Sequence, residues 1–99
     1  MVVNVKWTKK AQSNFDEIVQ YIENEWGSKS AQKFVKKVKL LMQTLQNQSE
    51  IGKIEIKEKG IRSFVFTRQN TVFYRIKEKN VIILAIFDNR RNPKNKPYW

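Results

Sequence analysis

The sequence predicts an α+β domain: a hairpin of two helices packed on one face of a twisted, mainly antiparallel sheet, in the order β-α-α-β-β-β. Three observations predict it. Apolar residues recur at helical spacing from Ala11 to Leu45. After Ser49 the period changes to the alternation of strands. Between the two helical stretches stands little more than Gly27, a link so short that the helices must be antiparallel neighbours.

The elements follow in order. "VVNVKW" alternates, with Val3, Val5 and Trp7 on one side, which predicts a strand over 2–7. Thr8 is a good N-cap. Ala11, Phe15, Ile18, Val19, Ile22 and Trp26 then form the apolar stripe of a helix over 9–26, which Gly27 ends. Ser28 or Ser30 can cap a second helix over 29–47, whose core side is Ala31, Phe34, Val35, Val38, Leu41, Met42 and Leu45. Lys29, Lys33, Lys36 and Lys37 line another face of it. Trp26-Gly27 is a helix stop with a packed aromatic. Ile54 and Ile56 alternate with charges in a strand near 53–57. "GIRSFVFTR" places Arg62, Phe64, Phe66 and Arg68 on one side of a strand near 61–67. "RQNT" is a turn, "TVFYRIK" a strand near 71–78 and "EKN" a second turn. "VIILAIFD", near 81–88, is apolar on both sides, as a central buried strand would be. No linker or internal repeat divides the chain, so residues 1–99 form a single domain ending in a basic tail at 89–99.

Composition narrows the chemistry. The chain has no cysteine and no histidine. This removes disulfides, thiolate metal sites, the commonest metal ligand and the commonest general base. No metal and no cofactor are expected. There is no membrane-spanning run and no signal-peptide pattern, which predicts a cytoplasmic protein. The net charge is +11 and it is lopsided: +3 over residues 1–50 and +8 over residues 51–99. A charge of this size speaks of an anionic partner, not of fold.

The helical segment "KKAQSNFDEIVQYIENEWGSKSAQKF", the Gly60-x-Arg62 pair, the strand Val72 to Ile76 and the apolar strand ending near Arg91 occur in an order and spacing that resemble the RelE/ParE toxins of bacterial type II toxin–antitoxin systems. The likeness covers nearly the whole chain and is closer to the ParE branch. It implies a growth-inhibiting toxin neutralised by a cognate antitoxin, whose acidic, disordered segment wraps the basic surface in a hetero-oligomer. The ParE branch implies DNA gyrase as target, without RNA cleavage. The RelE branch implies the rival, a ribosome-dependent mRNA endonuclease.

The RelE-like catalytic set is incomplete in this chain. The resemblance would place an arginine where Thr71 stands and two lysines near Arg62 and Phe64. It maps an arginine onto Arg91 and a tyrosine near Pro97, one residue from Tyr98. Asp88 stands where ParE-like proteins frequently have histidine. If the chain were RelE-like, Arg62, Arg91 and Tyr98 would be its catalytic candidates. Cutting RNA needs a base, and arginine stays protonated. A plain basic nucleic-acid-binding domain is a third reading, which the helix-hairpin motifs oppose.

For contact with a target or partner the candidates are Arg62, Arg75, Arg90, Arg91, Lys94, Lys96, Tyr98 and Trp99. Arg62 and Arg75 are expected on the sheet face turned away from the helices, where strand arginines are commonplace. Arg90 and Arg91 follow the last strand directly. An Asp-Asn turn capping its own backbone, with the arginines pairing to Asp88, is the structural alternative there. Pro93 and Pro97 keep the tail from continuing a strand, so its cations and aromatics can lie along an anionic surface.

Overall fold

In a computed structural model the described residues are 3–90. The elements are β1 (Asn4–Trp7), α1 (Lys9–Trp26), α2 (Ser28–Asn47), β2 (Lys53–Ile56), β3 (Ile61–Val65), β4 (Asn70–Lys77) and β5 (Asn80–Asp88). A 3₁₀ turn, Lys57–Lys59, joins β2 to β3 and closes on Gly60 at φ 65°, a left-handed conformation that favours glycine. The helices form one layer and the sheet the other. Strand order is β1-β5-β4-β3-β2. Among the described residues the β1–β5 pair alone is parallel, and the other pairs are antiparallel.

Thr8 shows how a cap can also fix tertiary structure. Its Oγ1 accepts from the Ala11 N–H at 3.1 Å and donates to the Ile83 carbonyl at 2.9 Å. The start of α1 is thereby tied to β5. At the other end, Gly27 has φ 93° and its N–H bonds the Glu23 carbonyl at 2.9 Å. The expected serine cap of α2 is not used. Gly27 itself is the N-cap and helix resumes at Ser28. The Ser30 hydroxyl instead donates back to the Trp26 carbonyl at 3.4 Å.

The core lies between the layers. Ala11, Ile18 and Ile22 of α1 and Ala31, Phe34, Val38, Leu41 and Leu45 of α2 are buried against Val72, Tyr74, Val81, Ile83 and Ile86. A chain of rings crosses it: Trp7–Phe15 at 5.7 Å, Phe15–Phe34 at 5.9 Å and Phe34–Phe66 at 6.4 Å. It links β1, both helices and the residue after β3, and each pair contributes about 0.5–1.5 kcal/mol beyond area burial.

The two-sided apolar character of β5 has a structural cause. Val81, Ile83 and Ile86 face the helices, while Leu84, Ala85 and Phe87 join Phe73 in a second cluster on the other face. The switch of phase between Ile83 and Ile86 is a β-bulge, seen where Phe73 pairs with Ala85 but Tyr74 pairs with Ile83. The expected central strand is displaced by one place. β4 is the middle strand, and β5 lies between it and β1.

Candidate functional site

The end of β5 is built around Asp88. Its side chain is fully buried, an unusual place for a carboxylate, and it is kept there by donors. Asn70 Nδ2 of β4 donates at 2.8 Å, the Arg90 backbone N–H at 2.9 Å, Arg90 Nε at 3.0 Å and Arg90 Nη2 at 2.6 Å. Burial alone would raise the carboxyl pKa. The bonds from Arg90 and Asn70 and the guanidinium charge outweigh it, and Asp88 is held below the usual carboxylate range. The bond to Asp88 correspondingly raises the Arg90 pKa.

Asn70 is fixed in turn, because Thr67 Oγ1 donates to its Oδ1 at 2.6 Å across the β3–β4 turn. On its other side the Arg90 guanidinium lies over the Trp26 ring, 5.0 Å from the centroid. Tyr21 sets its ring edge-on to Trp26 at 5.7 Å and its hydroxyl donates to the Arg90 carbonyl at 3.4 Å. The end of the sheet is thus clamped to the end of α1. The local Asp-turn with arginine pairing accounts for Arg90. Trp26 differs from its expected packed state: it is 52% exposed and serves as a platform for Arg90.

Arg62 departs from the face expected for it. It pairs with Tyr74, and Phe64, two residues on, packs on the main core, so its side is the helix side. Its Nη1 donates to the carbonyls of Glu50 at 3.1 Å and Gly52 at 2.8 Å. Tyr74 holds the same loop from beneath. Its hydroxyl donates to the Ser49 carbonyl at 2.7 Å and accepts from the Gly52 N–H at 2.9 Å. Burial raises the Tyr74 pKa, against opposing effects from the Gly52 N–H and the Arg62 charge. Arg62 therefore organises the α2–β2 loop. Arg75 does lie on the face away from the helices, opposite Ile61 and Ile82, and its Nε is buried with no hydrogen-bond partner among the described residues. Thr71 shares that face through its pairing with Val65, on the side opposite to Arg62.

Arg91, Lys94, Lys96, Tyr98 and Trp99 lie outside the described residues. Of the other candidates, Arg62, Arg75 and Arg90 stand at three separate places, and Arg90 borders a concavity. That cleft, about 260 Å³, opens between α1, α2 and the β3–β4 turn and includes Trp26, Lys33, Lys37, Gln69 and Asn70. In the sequence Lys33 and Lys37 mark a helix face; in the fold they also line this cleft. Their spacing of four residues was the available signal. No group of acidic side chains suited to a metal ion occurs among the described residues.

The sequence matches the model of the ParE toxin of type II toxin-antitoxin system, parDE, over residues 5–93. The chain belongs to the ParE toxin family. Solved structures agree in fold. The chromosomal ParDE toxin–antitoxin system of P. aeruginosa is 26% identical with a TM-score of 0.74, covering 88% of this chain and 96% of that one. The RelBE2 toxin-antitoxin complex of Mycobacterium tuberculosis is 17% identical with a TM-score of 0.65, covering 89% of this chain and 99% of that one. The YoeB dimer of Staphylococcus aureus is 17% identical with a TM-score of 0.58, covering 88% and 97%. Among curated proteins none matches the chain. This ParE-family chain is accordingly a toxin of the type II toxin–antitoxin class, with the two helices on a five-stranded mixed sheet that the resemblance implied. Among its described residues no helix is long and apolar enough to cross a membrane.

Proposed function

We propose that this ParE-family protein inhibits growth by acting on DNA gyrase and is held inactive by a cognate antitoxin with an acidic segment. The family match over residues 5–93 carries the reading. The net charge of +11 supports it, since an acidic wrapping segment is steered to such a surface. The P. aeruginosa and M. tuberculosis relatives are described as a toxin–antitoxin system and complex, in keeping with an antitoxin partner for this chain. The basic region at the end of β5 and beyond it, Arg90, Arg91, Lys94 and Lys96, is the part assigned to gyrase, with Arg62, Arg75, Tyr98 and Trp99 as further contact candidates.

The test is induction in bacterial cells without antitoxin, with plasmid supercoiling and ribosome-bound mRNA assayed in parallel. Loss of supercoiling with intact mRNA is expected. Codon-phased mRNA cuts with normal supercoiling would transfer the protein to the ribonuclease reading, with Arg62, Arg91 and Tyr98 as catalytic candidates. A truncated chain sharpens the assay. It must end after Arg90, because a chain ending at Asn89 would leave the buried Asp88 carboxylate without its guanidinium. Truncation after Arg90 is expected to abolish growth inhibition and retain the fold.

A further inference from the structure

The face of the sheet turned away from the helices is apolar and covered. Ala85 is 2% exposed, Phe73 8% and Phe87 9%, and Leu84 packs against them. Ile61, opposite Arg75 on the same face, is 3% exposed. The Arg75 Nε is likewise shut off from solvent. An antiparallel sheet face turned to water carries polar, accessible side chains instead. Both helices lie on the other face, and among the described residues no helix and no strand packs on this one. The shielding therefore comes from elsewhere.

The cover has an outline. Val65 shares this face through Thr71 yet is 64% exposed, so the shielding lies over β4 and β5 and falls off at the end of β3. Residues 91–99 follow β5 closely and set out from its Phe87 end. Met1 and Val2 precede β1, whose first residue, Asn4, pairs with Asn80 at the opposite end of β5. β5 is flanked by β1 and β4, so chain leaving it has no free edge beside it to pair with. Pro93 and Pro97 also lack the N–H that a ladder needs. From Thr71 to Arg75 the face runs about 13 Å at about 3.3 Å per residue. The nine residues 91–99 reach about 28 Å in an extended, proline-favoured conformation of about 3.1 Å each, enough to cross it diagonally.

We propose that residues 91–99 form a strap over this face, with Tyr98 and Trp99 as the side chains that seat on the Phe73, Ala85 and Phe87 cluster. Large aromatics bury the most area per side chain, and the Tyr hydroxyl and Trp N–H suit the rim of such a patch. A second copy of the chain is the poorer cover. Two bodies of charge +11 repel each other, whereas a tethered segment acts at an effective concentration in the millimolar range. The strap divides the roles within the tail. Tyr98 and Trp99 become anchors, while Arg91, Lys94 and Lys96 are presented to an anionic partner from a fixed frame. Binding of that partner then costs less chain entropy than ordering a free tail would. This holds whichever target the toxin has.

The experiment uses the full chain, labelled with carbon-13 and nitrogen-15 for NMR. Cross-peaks from the Tyr98 and Trp99 rings to Phe73, Ala85 and Phe87 are expected in a NOE spectrum. A sample mixing labelled and unlabelled chains assigns each cross-peak to one molecule or to two. Y98A/W99A is expected to lower Tm by about 5–15 °C and to raise the binding of an apolar dye severalfold, because the patch is uncovered. K94A/K96A, which leaves both anchors in place, should shift Tm by less than about 2 °C. Tail rings with cross-peaks to α1 or α2 instead, or narrow ring signals with no long-range cross-peak, overturn the proposal. Cross-peaks found between molecules and not within one overturn it too, and make the face an interface between copies. Equal stability of the wild type and Y98A/W99A overturns it as well. None of these readouts involves gyrase or mRNA, so the target reading stands or falls separately.

Discussion

Replacing Asp88 by alanine is the most informative single perturbation of the scaffold beneath the basic end. Two residues, Asn70 and Arg90, lose their partner. The Asn70 side-chain amide, in a residue 2% exposed, keeps a buried donor with nothing to bond. That costs about 1–3 kcal/mol. The Arg90 side chain is 30% exposed, so water recovers part of what it loses and its share is about 0.5–1 kcal/mol. The expected destabilisation is therefore about 1.5–4 kcal/mol, on the whole below the roughly 3–5 kcal/mol of breaking a wholly buried pair. For a domain of this size it lowers Tm by about 6–30 °C. Urea denaturation at neutral pH reads it directly. The pH dependence supplies a second check. Asp88 has a folded pKa below its unfolded value of about 3.9, so its stabilisation is complete well above that value and disappears as pH falls through the folded pKa. The difference between wild type and Asp88→Ala should thus shrink on acidification below about pH 4. A loss under about 0.5 kcal/mol at neutral pH, the range of ordinary surface changes, would refute the clamp.

Three further outcomes follow from the opposite end of the sheet and from α1. Gly52→Ala would place a methyl 2.6 Å from Tyr74 Oη and 2.9 Å from the Ser63 carbonyl, so overpacking should cost about 1–3 kcal/mol in urea denaturation. Tyr74→Phe strands the Gly52 N–H and the Ser49 carbonyl and should cost about 1–3 kcal/mol at neutral pH. The wild-type Tyr74 pKa is raised, so its neutral form stabilises fully below the unfolded value of about 10 and this support is lost as pH rises through the folded pKa; Tyr74→Phe should remove that alkaline loss from the stability–pH curve. Thr8→Ala should cost about 1–2 kcal/mol in thermal unfolding, because it deletes a helix cap and the bond to β5 together.

The helices and strands were legible because each carries a period of its own. The 3.6-residue stripe of α1 and α2 broke only at Gly27, and the alternation after Ser49 left few choices of face. The 3₁₀ turn Lys57–Lys59 carried no such pattern, only the glycine that closes it. For Arg62 the signal was present and was misread. Phe64 and Phe66 stand on its side of the strand, and two phenylalanines mark a core face, so the arginine had to point towards the helices too. The cleft was the hardest part. Trp26 and Arg90 are far apart in the sequence, and they meet only after the helix hairpin has packed on a sheet whose last strand is shifted by a bulge. No local period encodes that meeting.

The two faces of the sheet bear on the choice between the branches of this superfamily. Chemistry on a scissile phosphate needs its groups to converge within about 3 Å of the reacting atoms. Arg62 and Tyr74 lie on the helix side, and both are engaged with the 49–52 loop. Thr71 and Arg75 lie on the other side. Even an arginine in place of Thr71 would project away from Arg62, so restoring that residue alone would not assemble a shared site. Arg90 stands apart from both, oriented by Asp88 and Trp26. The described candidates Arg62, Arg75 and Arg90 therefore do not converge on one reacting atom, and the parallel assay of supercoiling and mRNA decides between the two branches.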